Sequence, residues 1–260
     1  MARLCLSVHA KNEGLILPGW FEAHQGLAEE FLLVDTGSTD NTIEIGERWK
    51  AHIRRQDIEQ GFDVVRTYCI TEARELGCEW VIILDADERL YRILPEFTLV
   101  EEPTEIDMTT LWPAGGSAPT HCKYEAVQTG AYYNQHDIIR GLLEDPFCVA
   151  YNTRRRHWFD LEMRRPCQPW CPVPGTETEG IDDWQRRFCR TDKDLKFIRK
   201  VHEWLRRPDG GEPEPILDAE QVYFDHFHVP AKAIYPDRAD EVNALVARLR
   251  EADTEFNETY

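Results

Sequence analysis

Two aspartates one residue apart, Asp85 and Asp87, stand directly after the apolar run Trp80-Val81-Ile82-Ile83-Leu84. Carboxylates with that spacing at a strand end can both reach one divalent cation, and the cation can bridge the two phosphates of a nucleoside diphosphate. A second acidic stretch, Asp35-Thr36-Gly37-Ser38-Thr39-Asp40-Asn41-Thr42, follows another apolar run, Phe31-Leu32-Leu33-Val34. Cys167 and Cys171, with His157 and Cys189 near them in sequence, offer the makings of a small zinc site. A structural zinc site takes four ligands, and no second closely spaced Cys/His pair completes this one.

These side chains need a scaffold, and the first hundred residues alternate as one would. Leu4 to Val8 reads as a strand. Residues 14–27 read as a helix with Leu15, Leu17, Trp20 and Phe21 towards a core. The runs ending at Val34 and Leu84 are continuous rather than alternating, as expected of strands buried on both faces. A helix through about Ala51 follows the first acidic stretch, and another covers about 63–77. Strand and helix in alternation predict an α/β fold, a Rossmann-like sheet with helices on both faces. Sites in such sheets form outside the carboxyl ends of the strands, where both acidic stretches lie. The second half is less regular. Residues 105–112 and 147–151 are candidate strands, 161–181 is rich in Pro, Gly and Glu and reads as a loop, and a helix is expected over 238–252 with Val242, Leu245, Val246 and Leu249 on one face.

The chain has 260 residues and a formal charge of −18, which argues against binding along a nucleic-acid backbone. Between Ala150 and Arg207, however, 14 Lys and Arg face nine Asp and Glu, a basic segment suited to a local anion site or to a solvated surface. The longest purely aliphatic run is four residues, Val81 to Leu84, so no membrane span is expected. The start has too short an apolar stretch for a signal peptide. Eight scattered cysteines then suggest reduced thiols and a cytoplasmic location.

Asp-Thr-Gly-Ser at 35–38 is similar to the active-site loop of aspartic proteases, but those need a second such aspartate and this chain has one Asp-Thr-Gly. Asp85-x-Asp87 is similar to phosphatases of the haloacid dehalogenase type, but Arg89 stands where their pattern has Thr or Val. The combination is more specific. Lys11-Asn12-Glu13, Val34 to Thr42 and Ile83-Leu84-Asp85-Ala86-Asp87-Glu88 resemble, in order and spacing, the family 2 glycosyltransferases of GT-A fold. Phe62-Asp63 and Arg66 resemble that family's Phe/Asp…Ala-Arg-Asn stretch, with Thr67 in place of Asn. Gln185 to Arg190 and Val201-His202-Glu203 resemble a stretch of a subgroup that includes protein and peptide glycosyltransferases. Asp225-His226-Phe227-His228 is similar to its later His-aromatic-Gly stretch, with His228 in place of Gly.

The resemblance implies a metal-dependent inverting transferase that moves a sugar, most simply a hexose from a UDP donor, with Mn2+ or Mg2+. It divides the chain into a nucleotide-sugar half at 1–104, an acceptor and catalytic half at 105–237, and a C-terminal helix and tail at 238–260. Asn12, Glu13, Asp35, Ser38, Arg66, Asp85 and Ala86 would face the donor nucleotide. Asp85, Asp87 and His202 would hold the metal. Glu203 is a candidate base for the acceptor nucleophile, with Asp182 and Asp183 as rivals, and His226 and His228 read as ordinary loop histidines. A protein side chain, a saccharide, a small molecule and a modified DNA base are all open as acceptor. A nucleotide-sugar-binding protein without turnover is the alternative reading.

Overall fold

Alternation along the first strand decides how the helices pack. In the computed structural model, which describes residues 1–105, 121–158, 161, 163, 183–227 and 238–253, β1 runs over Leu4–Ala10. Its Leu4, Leu6, Val8 and Ala10 enter one core cluster, and Cys5 enters another. Successive strand side chains point to opposite faces, so the two clusters are the two sides of one sheet. β4 (Trp80–Asp85) repeats the pattern, with Trp80, Ile82 and Leu84 on the first side and Val81 and Ile83 on the second.

Helices cover both sides. α1 (Leu17–Ala23) and α2 (Thr42–Arg48) place Trp20, Phe21 and Ile45 on the first side, joined by Ile139 of α4 (Gln135–Leu142). α3 (Phe62–Glu75) lays Val65, Cys69, Ile70 and Ala73 on the second. α2 approaches its strands closely at Gly46, where a Cβ would fall 2.6 Å from Leu33 Cδ2 and 2.8 Å from Ile53 Cδ1. These contacts bury the continuous apolar strands on both faces, and the predicted α/β sheet is present.

The remaining strands are β2 (Glu30–Asp35), β3 (His52–Arg55), β5 (Glu88–Arg89), β6 (Ile93–Glu105), β7 (His121–Asn134), β8 (Ala150–His157), β9 (Asp183–Arg190), β10 (Lys196–Ile198), β11 (Trp204–Arg206) and β12 (Ile216–His226). The central sheet has eight strands in the order β3-β2-β1-β4-β9-β8-β12-β5. β1, β2, β3 and β4 are parallel. β9 is antiparallel to both β4 and β8, and β12 is parallel to β8. Hence β1, β2, β4, β8 and β12 all end at one edge, and β9 begins there. β6 and β7 form a separate hairpin, and β10 pairs with β11.

Several expectations change. Leu15 is 71% exposed rather than in the core, because the helix begins only at Leu17, with Pro18 in its first turn. The helix after Thr42 stops at Arg48, and β3, an edge strand with no apolar run, follows it. The second half is more regular than its composition suggests, since β8, β9 and β12 complete the sheet. The candidate strand at 147–151 begins at Ala150, and of 105–112 only Glu105, the end of β6, is described. The division at 104/105 falls at that strand end. Cys167, Cys171, Asp182, His228 and nearly all of the 161–181 segment lie outside the described residues. Cys5, Cys69, Cys78, Cys148 and Cys189 are buried free thiols. Among the described residues no helix is long and apolar enough to cross a membrane. α5 (Arg238–Glu251) forms as expected, with Leu249 buried and Leu245 packed on the second cluster.

One ion pair fastens the far end of the sheet. Arg156 Nε and Nη2 donate to Asp225 Oδ1 and Oδ2, each at 2.7 Å, and Trp158 Nε1 donates to Oδ1 at 2.6 Å, with all three side chains fully buried. Breaking such a pair leaves an uncompensated buried charge. Asp225→Ala is therefore expected to lower unfolding free energy by about 3–5 kcal/mol in urea titrations. A loss below about 1 kcal/mol, the scale of an exposed pair, would show that the charge is not held in a dry interior.

Candidate functional site

The carboxyl edge is assembled from short-range hydrogen bonds first. Asn12 has a left-handed backbone (φ 56°), which Asn tolerates better than most residues. Its Oδ1 accepts from the backbone N–H of Thr39 at 2.7 Å, and its own N–H donates to Ser38 Oγ at 2.9 Å. Glu13 N–H donates to Thr42 Oγ1 at 2.8 Å, and Gly14 N–H to Asp40 Oδ2 at 2.9 Å. A side chain at Gly14 has no room, since a Cβ there would lie 1.9 Å from Asn41 Oδ1. Burial pushes the Asp40 carboxyl upward, but the Thr42 hydroxyl and the N–H groups of Gly14 and Thr42 hold it below the usual carboxylate range. The β1 and β2 ends are thereby stitched into one rim. At its centre Asp35, 3% exposed, uses Oδ1 to accept from Ser38 N–H at 2.9 Å, and Arg55 Nε lies 3.8 Å from its Oδ2.

At the end of β4 the chemistry is denser. Asp85 Oδ1 accepts from Arg66 Nη2 at 2.9 Å and lies 3.3 Å from His9 Nε2, while Oδ2 accepts from Arg187 Nη2 at 3.1 Å. Arg66 is 5% exposed, and its Nε donates to Glu203 Oε1 at 3.0 Å. One guanidinium thus joins Asp85 to Glu203 across 118 positions of sequence. Burial pushes Asp85 up, but Arg66 and then His9 overcome it and hold the carboxyl below its ordinary value. Fully buried Glu88 accepts from the Asp85 N–H at 2.9 Å and from Arg187 Nη2 at 3.0 Å. Burial beside the Asp85 charge holds its carboxyl well above the usual range. Ala86 is buried, and its carbonyl accepts from Arg89 Nη1 at 2.6 Å.

Asp87 sits one residue beyond, where β12 pairs with β5. The rungs Asp225–Arg89 and His226–Glu88 bring His226 to this turn, and Phe227 N–H donates to the Asp87 carbonyl at 2.9 Å. His226 Nε2 then lies 3.4 Å from Asp87 Oδ2, and His226 Nδ1 lies 2.9 Å from His157 Nδ1. Burial lowers the His226 pKa to about 4 despite Asp87, so the ring is neutral at pH 7 and keeps a lone pair.

Glu203, Arg66, Asp85, His226 and His202 line one cavity of about 930 Å³, together with Trp184, Arg155 and Trp204. Val246 of α5 also faces it. His202 is exposed, and its Nε2 lies 3.0 Å from Arg250 Nη2 rather than beside Asp87. The imidazole next to the second aspartate is His226, which sequence reasoning set aside as a loop histidine. The likeness of Asp225-His226-Phe227 to a glycosyltransferase stretch was the available signal. Asp183 opens β9 at the carboxyl edge opposite Arg155. Asn12, Glu13, Ser38 and Asp35 meet at the β1–β2 rim, Arg66, Asp85 and Glu203 at the β4 end. Among the described residues no three His, Cys, Asp or Glu side chains are grouped to hold a metal by themselves.

Residues 8–94 match the sequence model of glycosyl transferase family 2, a span that includes the Asp35 rim and Asp85-Ala86-Asp87. A TPR repeat-containing protein of Synechococcus elongatus is 29% identical over 115 residues, 43% of this chain and 27% of that protein. Among solved structures, Staphylococcus aureus TarS 1–349 in complex with UDP is 19% identical over 34% of this chain and 28% of its own, with a TM-score of 0.29. Glucosyl-3-phosphoglycerate synthase from Mycobacterium tuberculosis, with Mn2+ and UDP-glucose, is 14% identical over 60% of this chain and 44% of its own, with a TM-score of 0.32. The chain spans about a quarter of the length of the Synechococcus protein it matches.

Removing Arg66 tests the electrostatics of the β4 end. Asp85 has a folded pKa below its unfolded value, so its contribution to stability is present above about pH 4 and is lost as pH falls through the folded value. Arg66→Met removes the main counter-charge and raises the Asp85 pKa. The penalty should be larger at about pH 7 than at about pH 4.5, where the stranded carboxyl takes up a proton. Denaturant unfolding of both chains at the two pH values measures it. An equal penalty at both would assign Arg66 to packing alone.

Proposed function

We propose that this chain is a metal-dependent, inverting glycosyltransferase of family 2 type that transfers a hexose from a nucleoside diphosphate, UDP in our reading, to an acceptor nucleophile in the cavity beside Glu203. The observation that carries the reading is the meeting of Asp87 and His226 at the carboxyl edge of a sheet, the edge at which β2 ends in Asp35 with β1 between it and β4. The family match over residues 8–94 supports it.

In this reading Asp35 accepts hydrogen bonds from the nucleotide base or ribose, and Asn12, Glu13 and Ser38 hold the rim in shape. The edge near Asp85 and Ala86 faces the ribose and diphosphate. Arg66 acts there as the fixed positive charge behind Asp85. A carboxylate oxygen from Asp87 would suit either Mn2+ or Mg2+, and a neutral imidazole nitrogen from His226 would favour Mn2+ of the two, leaving the cation free to meet the donor's phosphate oxygens. Asp85 adds charge from behind, and His202 leaves the proposed ligand set because it faces Arg250. The bound cation would stabilise negative charge on the departing diphosphate.

Inversion needs a base on the face of the sugar opposite the leaving group. Glu203 faces the cavity and is held by Arg66, while Asp183, which opens β9, and Asp182, its neighbour in sequence, are the rivals. Trp184 and Trp204 give the cavity wall an aromatic character suited to an acceptor. Buried free thiols are in keeping with work in a reducing cytoplasm.

The test uses calorimetry with UDP and Mn2+, and UDP release from UDP-glucose. Glu203→Gln should bind UDP–Mn2+ as the native chain does while UDP release falls by roughly 10²–10⁴, the range for loss of a general base. Full turnover in Glu203→Gln with none in Asp183→Asn would move the base to β9. Donor binding without UDP release by the native chain over many hours, across protein, saccharide and nucleic-acid acceptors, would favour the non-catalytic binding protein instead.

A further inference from the structure

The sheet that brings His226 to Asp87 also brings a second imidazole to His226. β8 and β12 run parallel, and their register sets Arg156 against Asp225 and, one residue later, His157 against His226. The first rung is the buried bidentate pair that fastens these strands. The second therefore sits on backbone that has little freedom, and Trp158 N–H donates to the His226 carbonyl at 3.1 Å just beyond it. The rings meet at a centroid distance of 4.7 Å and an interplanar angle of 73°, with the two Nδ1 atoms 2.9 Å apart.

A hydrogen bond between two ring nitrogens holds one proton, so one Nδ1 donates and the other accepts. A neutral imidazole carries a single N–H. If His226 spends it on His157, its Nε2, 3.4 Å from Asp87 Oδ2, carries the lone pair that a cation between the two would take. If His157 instead donates, the His226 proton moves to Nε2, and that atom ceases to be a ligand. The tautomer of a ligating histidine is set by what its other nitrogen bonds.

We propose that His157 is a positioning residue for the Asp87–His226 site: its Nδ1 accepts the Nδ1–H of His226 and so keeps His226 Nε2 open to a divalent cation. The inference rests on the proposed metal role of Asp87 and His226, and adds to it a residue that touches neither cation nor donor. His157 acts through orientation and tautomer, so its loss lowers metal affinity without removing a ligand. Partners of this kind typically account for 10–100-fold in metal affinity.

The experiment measures Mn2+ affinity in the presence of UDP, by the electron paramagnetic resonance signal of free Mn2+, for four chains: native, His157→Phe, His157→Asn and His226→Ala. His157→Phe keeps a planar ring but has no acceptor, and Mn2+ should bind 10–100-fold more weakly. His157→Asn places an amide oxygen close to the position of Nδ1 and should recover most of that loss. A structural role for the ring alone would give the opposite order, with Phe tolerated and Asn not. Native affinity in His157→Phe, or no recovery in His157→Asn while His157→Phe is weakened, overturns the inference. Native affinity in His226→Ala overturns the metal reading beneath it, so the two failures are distinct. Should His157→Phe fail to fold, His157→Asn against His157→Ala decides between the same outcomes.

Discussion

The end of β4 collects three carboxyl groups, Asp85, Asp87 and Glu88, within four residues, and a sheet edge can close over them only if cations arrive from elsewhere. They arrive from three elements. Arg66 comes from α3, Arg187 from β9 and Arg155 from β8, and each reaches Asp85 or Glu88 directly. Arg66 also binds Glu203 in the segment before β11. Removing one partner of a buried charge group costs far more than the group contributes as a whole. The parallel half of the sheet and the later strands are therefore bound by the same interactions that shape the cavity.

This changes the meaning of the basic segment at 150–207. Its excess of arginine suggests a local anion site or a solvated surface, and much of it is neither. Arg156 is spent on Asp225, Arg187 on Asp85 and Glu88, and Arg186 on Asn152 and Glu212. Arginine suits such places because its fork meets carboxylates in two directions at once. Part of the local basic excess is thus taken up by carboxylates elsewhere in the same fold.

That pairing also explains what could be read in advance. β2 and β4 are apolar on both faces because helices cover both, and a continuous run of such residues is recognisable alone. The acidic turns after β2 and β4 follow from where those runs stop. β9, by contrast, reads Asp-Trp-Gln-Arg-Arg-Phe-Cys-Arg, and buries Arg187 beside Phe188 and Cys189. A strand whose buried side is partly ionic has no hydrophobic signature. β3 fails for a different reason: as an edge strand, half covered, it needs only Ile53 and the stems of its neighbours. The place of His226 beside Asp87 was not legible in the sequence. Its meeting with Asp87 is made by the β5–β12 rungs, a pairing over nearly 140 positions that no local pattern encodes. His202, beside Glu203 in sequence, has its Nε2 3.0 Å from Arg250 Nη2.

The central claim is that the carboxyl edge binds a nucleoside diphosphate through a cation at Asp87 and His226. A crystal grown with UDP and Mn2+, with diffraction collected at the manganese absorption edge, tests it most directly. The account predicts one anomalous peak within coordination distance of Asp87 Oδ and His226 Nε2, with the uracil ring against Asp35. A peak at His202, or UDP bound at Asp35 with no manganese beside Asp87, would contradict it.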